Sequence, residues 1–288
     1  MDFYLGCAVW SFKGWVGDLY PPKSRAKDFL SLYSRRMTAV EGNTTFYAVP
    51  SRATVERWAA EMPAGFHFCP KMPKDVTHGH LLETKIAAAI AFIDRIAQLG
   101  NRLGSIFVQL PPRYSPENFD DLQVFLEGLP RDRVKIALEV RHLDWFQDPY
   151  ASRLNELLQH LGVGRVLLDT RPVYNAPEDP QIASERRKPQ VPLEPIVTAK
   201  FTLVRFISHP EREYNEVYLQ EWAQRVADWL REGTRVYFFV HCPVEARSPQ
   251  TVRWFQQELE RLESTAPPLP WNQLQESSVP SEQLNLFE

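Results

Sequence analysis

Short apolar runs alternate with longer amphipathic stretches from Phe3 to Glu263, and no other feature restricts the fold of this chain so tightly. Such runs bury as strands of a parallel sheet, and the amphipathic stretches between them cover the sheet as helices. Eight strands are expected, at Phe3–Trp10, Ala39–Phe46, His67–Lys71, Ser105–Leu110, Val134–Val140, Arg165–Asp169, Phe201–Ile207 and Arg235–Val240. Seven helices accompany them, near Ala26–Arg36, Ser51–Glu61, Glu83–Leu99, Pro116–Leu129, Asp148–His160, Asn215–Glu232 and Ser248–Glu263. Ser51 ahead of Val55 and Trp58, Pro116 in a first turn and Gly100 after the third helix supply end signals. No helix is expected after the sixth strand. Residues 170–200 hold six prolines and the run Arg186-Arg187-Lys188, which marks a long irregular loop.

Eight βα units that close on themselves make an α/β fold, the (β/α)8 or TIM barrel, with its functional groups at the carboxyl ends of the strands. Residues 1–263 are expected to form it. Residues 264–288 contain four prolines and no Lys or Arg, the composition of a flexible tail. With 288 residues, 44% hydrophobic and 24% charged, the chain is too apolar for a disordered protein. Lys+Arg 33 against Asp+Glu 36 leaves a net charge of -3, so the overall field does not mark a nucleic-acid binder. Cys7, Cys69 and Cys242 form no CxxC pair, which argues against a disulfide framework or a metal cluster. The first twelve residues lack the basic start and apolar run of a secretion signal, and no apolar stretch is long enough for a membrane span. The expected location is the cytoplasm. The sequence carries no signature of oligomeric state.

Side chains of defined chemistry collect at the expected strand ends. Strand two offers Glu41 and Asn43, strand three Lys71, strand four Gln109, and strand five Glu139 and Arg141. Strands six, seven and eight offer Asp169, Arg205 and His241. In strand five, Ala137, Glu139 and Arg141 share one parity, which points both charges into the mouth. Two readings are open. Three acids and three bases could satisfy one another as a structural ion-pair network. Alternatively, the cations Lys71, Arg141 and Arg205 hold an anion such as a phosphate while Glu139, Glu41, Asp169 or His241 moves protons. Glu139 leads among these, because burial and a neighbouring cation push its pKa in opposite directions. His78, His142, His209 and His241 follow strand ends, so a divalent metal is conceivable. No HExxH spacing occurs, the nearby cations oppose a metal, and no cofactor is expected. Aromatic residues, Trp10 and Tyr47 among them, either fill the rim or form a stacking platform.

Gly6–Trp15 (GCAVWSFKGW), Val40–Pro50 (VEGNTTFYAVP), Lys71–His78 (KMPKDVTH), Leu103–Pro112 (LGSIFVQLPP), Ala137–Phe146 (ALEVRHLDWF) and Asp169-Thr170 together resemble the successive signatures of the YecE-like family, domain of unknown function seventy-two. The resemblance implies a TIM barrel and no particular activity. It places Glu41, Asn43, Thr45, Tyr47, Lys71, His78, Gln109, Glu139, Arg141, His142 and Asp169 on the family's motif positions. Two strands depart from the pattern. Strand seven reads LVRFISH where YVRLHG is usual, and strand eight reads FFVHC where YFNND is usual, so Val240 and His241 replace asparagines.

At the end of the chain, Gln283-Leu284-Asn285-Leu286-Phe287 resembles the QL(S/D)LF motif by which bacterial replication and repair proteins dock on the β sliding clamp. Leu286 and Phe287 suit an apolar pocket, and Gln283 suits a polar subsite. The combined expectation is a clamp-tethered protein that binds or hydrolyses a phosphate-containing ligand, DNA or a nucleotide. A tether raises effective concentration and offsets the weak overall field. The alternatives are an enzyme on a small phosphorylated sugar or nucleoside without a clamp link, and a non-catalytic binding or adaptor protein. Calorimetry of the full chain against a bacterial sliding clamp is expected to show micromolar-range binding that vanishes when residues 283–288 are deleted. Equal heats from both versions exclude the motif.

Overall fold

The computed structural model describes residues 2–79, 81–182, 187–263 and 266–272. Eight parallel strands are present among them: β1 Phe3–Cys7, β2 Ala39–Gly42, β3 His67–Pro70, β4 Ser105–Gln109, β5 Lys135–Glu139, β6 Gly164–Asp169, β7 Phe201–Ile207 and β8 Arg235–His241. They form a curled six-stranded sheet, ordered β1-β8-β7-β6-β5-β4, and a two-stranded sheet of β2 and β3. The helices are α1 Phe29–Tyr33, α2 Thr44–Tyr47, α3 Arg52–Glu61, α4 Lys74–Thr77, α5 Ile86–Ile96, α6 Phe119–Glu127, α7 Tyr150–Leu161, α8 Arg171–Tyr174, α9 Glu216–Arg231 and α10 Ser248–Leu262. Among the described residues, no helix is long and apolar enough to cross a membrane.

The two sheets meet at both edges. Between β3 and β4, Gly104 N donates to Phe68 O at 2.9 Å and Met72 N to Phe107 O at 2.8 Å. Between β1 and β2 a tyrosine replaces the regular ladder. Tyr33 Oη accepts from Cys7 N at 2.6 Å and donates to Ala39 O at 3.1 Å, while Thr38 closes the next position against Leu5. Gly6 permits this approach, because a Cβ there would stand 1.9 Å from Ala39 O. One apolar cluster, with Ala39, Cys69, Phe107, Ala137, Val166, Leu203 and Phe239, fills the space between the strands. A larger cluster lies between strands and helices.

Several boundaries differ from expectation. The second strand stops at Gly42, not Phe46, because Thr45 Oγ1 donates to Gly42 O at 2.9 Å and Lys71 O at 2.6 Å and turns the chain into α2. The first strand ends at Cys7. The first helix breaks into a 3-10 turn, Ala26–Asp28, and the short α1. Gly100 does end the third expected helix, with φ 58, and Ser51 does cap α3 by accepting from Thr54 N. After β6, where no helix is expected, the four-residue α8 forms, and residues 175–182 and 187–200 are irregular among the described residues, as the prolines predict. Residues 266–272, expected in the flexible tail, are packed: Trp271 and Leu269 lie against the core and Gln256 Nε2 donates to Pro267 O at 2.9 Å. The Gln283–Phe287 motif lies outside the described residues. Gly6→Ala is expected to force the β1/β2 seam apart and destabilise the fold by about 1–3 kcal/mol in urea denaturation. A loss below about 0.5 kcal/mol, within the usual surface range, would contradict the close approach.

Candidate functional site

The inward parity of the strands delivers seven of the expected side chains to one network. Arg205, 1% exposed on β7, lies between two carboxylates. Its Nε and Nη2 donate to Glu41 at 2.8 and 2.9 Å, and its Nη1 donates to Glu139 at 2.7 Å. Phe107 stacks beneath it, 4.9 Å from the guanidinium carbon. Arg141 Nε donates to the other Glu139 oxygen at 2.5 Å. Gln109 Oε1 then accepts from both Arg141 Nη2, at 2.6 Å, and Lys71 Nζ, at 2.8 Å. His241 Nε2 is 2.8 Å from Glu41 and 3.3 Å from Arg205 Nη2. Only the carboxylate can accept there, so the ring proton sits on Nε2 and the guanidinium contact is proximity rather than a bond.

These contacts set the protonation states. Burial raises the carboxyl pKa values, but the adjacent guanidinium groups outweigh it, holding Glu41 well below its usual range and Glu139 down at about 2. Burial lowers His241 to about 3, against the opposing pull of Glu41. Burial, with Arg205 and Arg141 nearby, lowers Lys71 to about 7.

Above this network lies a cleft of about 690 Å³. Lys71, Lys74, Arg141, Arg187, Lys188 and Arg205 line it, while Glu41 and Glu139 are turned into the floor. Asn43, Tyr47 and His78 line it as well. Asn43 Nδ2 also donates to Ala8 O at 2.9 Å, tying the ends of β1 and β2. Tyr47 is 61% exposed at the rim. His78 shares a 2.8 Å hydrogen bond between Nδ1 and Thr77, and burial and surrounding cations lower it to about 4. A second cleft, of about 490 Å³, opens at the amino ends of the strands. There Arg133 is taken by Asp94 and Arg235 by Asp2.

Three expected residues lie elsewhere. Asp169 has the outward parity of Leu167, and its carboxylate is occupied by Arg171, which donates to both oxygens, and by Trp222 Nε1 at 2.7 Å. It therefore pins α8 and α9 and does not line the cleft. His142 also points outward, accepting from Asp144 N at 3.3 Å as a turn cap. Trp10 is buried edge-on against Trp58 and Phe68, which makes it packing and not a stacking platform. His209 is likewise held within its own turn, where its Nδ1 accepts from Glu211 N. Among the described residues, no group of three His, Cys, Asp or Glu side chains is arranged to hold a metal.

Two cleft residues escape the sequence reading. Lys188 comes from the proline-rich segment, fixed by Tyr174 Oη donating to its carbonyl at 2.5 Å and by Gln181 Oε1 accepting from its N–H at 2.8 Å. Burial lowers its amine to about 8. The basic run was the available signal, though it named no role. Glu245, after β8, is raised by burial to about 8, and nothing in its sequence context distinguishes it.

Fold and site together define a parallel α/β protein with a cation-lined cleft at the carboxyl ends of its strands. Its sequence matches the family described as "Protein of unknown function DUF72" over residues 4–274, and the chain belongs to that family. It is 34% identical over 261 residues to "UPF0759 protein YecE" of Escherichia coli (strain K12), covering 90% of this chain and 93% of that one. "UPF0759 protein YunF" of Bacillus subtilis (strain 168) is 28% identical over 156 residues, 51% of this chain and 53% of that one. Among solved structures, a DUF72 family protein from Thermotoga maritima MSB8 superimposes with a TM-score of 0.69 at 22% identity, covering 90% of this chain and all of that one (100%). One from Enterococcus faecalis V583 gives 0.65 at 16% identity, covering 90% and 96%.

The loss of stability on acidification begins with the histidines and is joined below about 4.5 by the lowered carboxyls of Glu41 and Glu139. His67, His78 and His241 have folded values of about 4, 4 and 3 against an ordinary 6.5. A lowered folded value contributes stability that is complete above 6.5 and is lost as pH falls toward 3. Glu245, raised from 4.5 to about 8, acts in the opposite sense, losing its contribution as pH rises through that range. The three histidines outweigh it, so melting midpoints are expected to fall on acidification from pH 6.5, and His241→Asn is expected to make the fall shallower. An unchanged slope in that variant contradicts a neutral buried His241.

Proposed function

We propose that this chain binds a phosphate-containing small ligand, of nucleotide size or less, in the cleft at the carboxyl ends of its strands. The observation that carries this is the segregation of charge. Among the described residues, six lysine and arginine side chains line the cleft, whereas Glu41 and Glu139, which balance part of that charge, lie beneath it. Its volume of about 690 Å³ falls within the range of small-molecule sites. Arg141 and Lys188 supply charge-assisted donors, Tyr47 and Phe46 an aromatic edge, and His78 a neutral imidazole. The two sheets, joined at both seams, act as one (β/α)8 barrel in this reading.

Glu41 and Glu139 serve the ligand indirectly by fixing Arg205 and Arg141. Proton transfer near neutral pH falls to Lys71 and Glu245, whose pKa values of about 7 and 8 suit it. A hydrolytic reaction on DNA or a nucleotide would draw on that pair. The departures at Ile207-Ser208 and Val240-His241 give this member a floor histidine bound to Glu41. The tail motif at Gln283–Phe287 supports a second element, tethering to the sliding clamp, which would deliver the barrel to DNA.

Titration with inorganic phosphate, a nucleoside monophosphate and a short single strand of DNA tests the reading. The monophosphate is expected to bind in a salt-sensitive manner, with Arg141→Met and Lys188→Met each weakening it about tenfold or more. No binding of any of the three, or full retention in both variants, would exclude the cleft as an anion site.

A further inference from the structure

Lys71 occupies an unusual position for a cation. Its Nζ makes one hydrogen bond, to Gln109 Oε1 at 2.8 Å, and that oxygen already accepts from Arg141. The carboxylates nearby are committed to other partners: Glu41 to Arg205 and His241, Glu139 to Arg205 and Arg141. Phe46 covers Nζ from one side at 3.9 Å and Phe107 lies 5.5 Å away. The amine is thus almost fully buried, has no ion pair among the described residues, faces two guanidinium groups and still borders the cleft. An ammonium ion is disfavoured there, and a free amine beside anion-holding side chains is a nucleophile looking onto its ligand.

We propose that Lys71 is a carbonyl-trapping nucleophile, whose Nζ condenses with an aldehyde or ketone that carries a phosphate or carboxylate group. This rests on the reading of the cleft as an anion site and names the class of ligand it takes. The anionic group is held by Arg141 and Lys188, and the carbonyl carbon meets Nζ. The Nζ lone pair forms the C–N bond, the carbonyl π pair moves to oxygen, and one proton passes from nitrogen to oxygen to give a carbinolamine. Departure of the hydroxyl as water takes one proton from an acid and leaves the protonated imine. Glu245 lines the same cleft, is protonated at neutral pH, and becomes the carboxylate beside the iminium as it gives up that proton. Amine, carbonyl compound and carboxylic acid thereby become iminium, water and carboxylate, with no oxidant or reductant required.

The test is reductive trapping on the full chain, with glycolaldehyde phosphate and glyoxylate as anionic probes and glycolaldehyde as the uncharged control. Borohydride is added at pH 7 and the adducts are located by peptide mass spectrometry. Lys71 is expected to be labelled about tenfold or more faster than any other lysine, since its unprotonated fraction there exceeds that of an ordinary lysine by about three orders of magnitude, partly offset by lower basicity. Its labelling rate is expected to reach half-maximum near pH 7, to be slowed by inorganic phosphate, and to be lower with the uncharged control. The faster of the two anionic probes identifies the group that the cleft prefers. Lys71→Arg is expected to lose the adduct, with circular dichroism confirming that the variant folds. Labelling spread evenly over surface lysines, or concentrated on Lys188, overturns the inference. Phosphate binding without Lys71 labelling overturns it and leaves the anion site standing. Absence of both removes the anion site as well.

Discussion

Arg205 is the charge around which the rest is arranged. A guanidinium taken wholly out of water is costly unless its donors are met, and three of its hydrogen bonds go to two carboxylates that are themselves buried. Those carboxylates come from β2 and β5, and the arginine comes from β7. The group therefore joins both sheets across the interior. Phe107 of β4 closes its flat face, and His241 of β8 completes the shell of Glu41. Removing Arg205 or either carboxylate would leave a buried charge short of its partner, whereas the intact set is satisfied.

The same arrangement explains the character of the cleft. Glu41 and Glu139 spend their oxygens on Arg205 and Arg141, so they neither neutralise the lysines above nor serve as ready proton carriers. Among the described residues, lysines without an ionic partner in a half-dry space lose their protons more easily, and the one carboxyl on the wall, Glu245, keeps its own. The groups that titrate near neutral pH are thus Lys71, Lys188 and Glu245 and not the carboxylates that look catalytic in the sequence.

Most of the fold was legible because parallel strands buried on both faces read as short continuous apolar runs, and all eight were recognisable. Their ends were harder. The chain after Gly42 reads as more strand, and only Thr45, bonding back to two carbonyls, converts it to a helical turn. At the site, parity worked where a strand carried an unbroken alternation, as with Ala137, Glu139 and Arg141. It failed at Asp169, where the inward positions of β6 are the apolar Val166 and Leu168, and the last residue belongs to the outer face. Lys188 and Glu245 were beyond such reading, because loop residues reach a site through the path of the backbone and not through a period.

The seam at β1 and β2 has one more implication. There a tyrosine hydroxyl stands where backbone amides would otherwise pair, so the β2–β3 leaf is fastened to the six-stranded sheet by side-chain pegs at one edge and a few backbone bonds at the other. The ionic floor supplies the third fastening, from Glu41 to Arg205. Cleft floor and structural rivet are then the same atoms. Exchanges on the walls of the cleft leave these fastenings in place, whereas an exchange at Glu41 or Arg205 would also loosen a leaf of the protein.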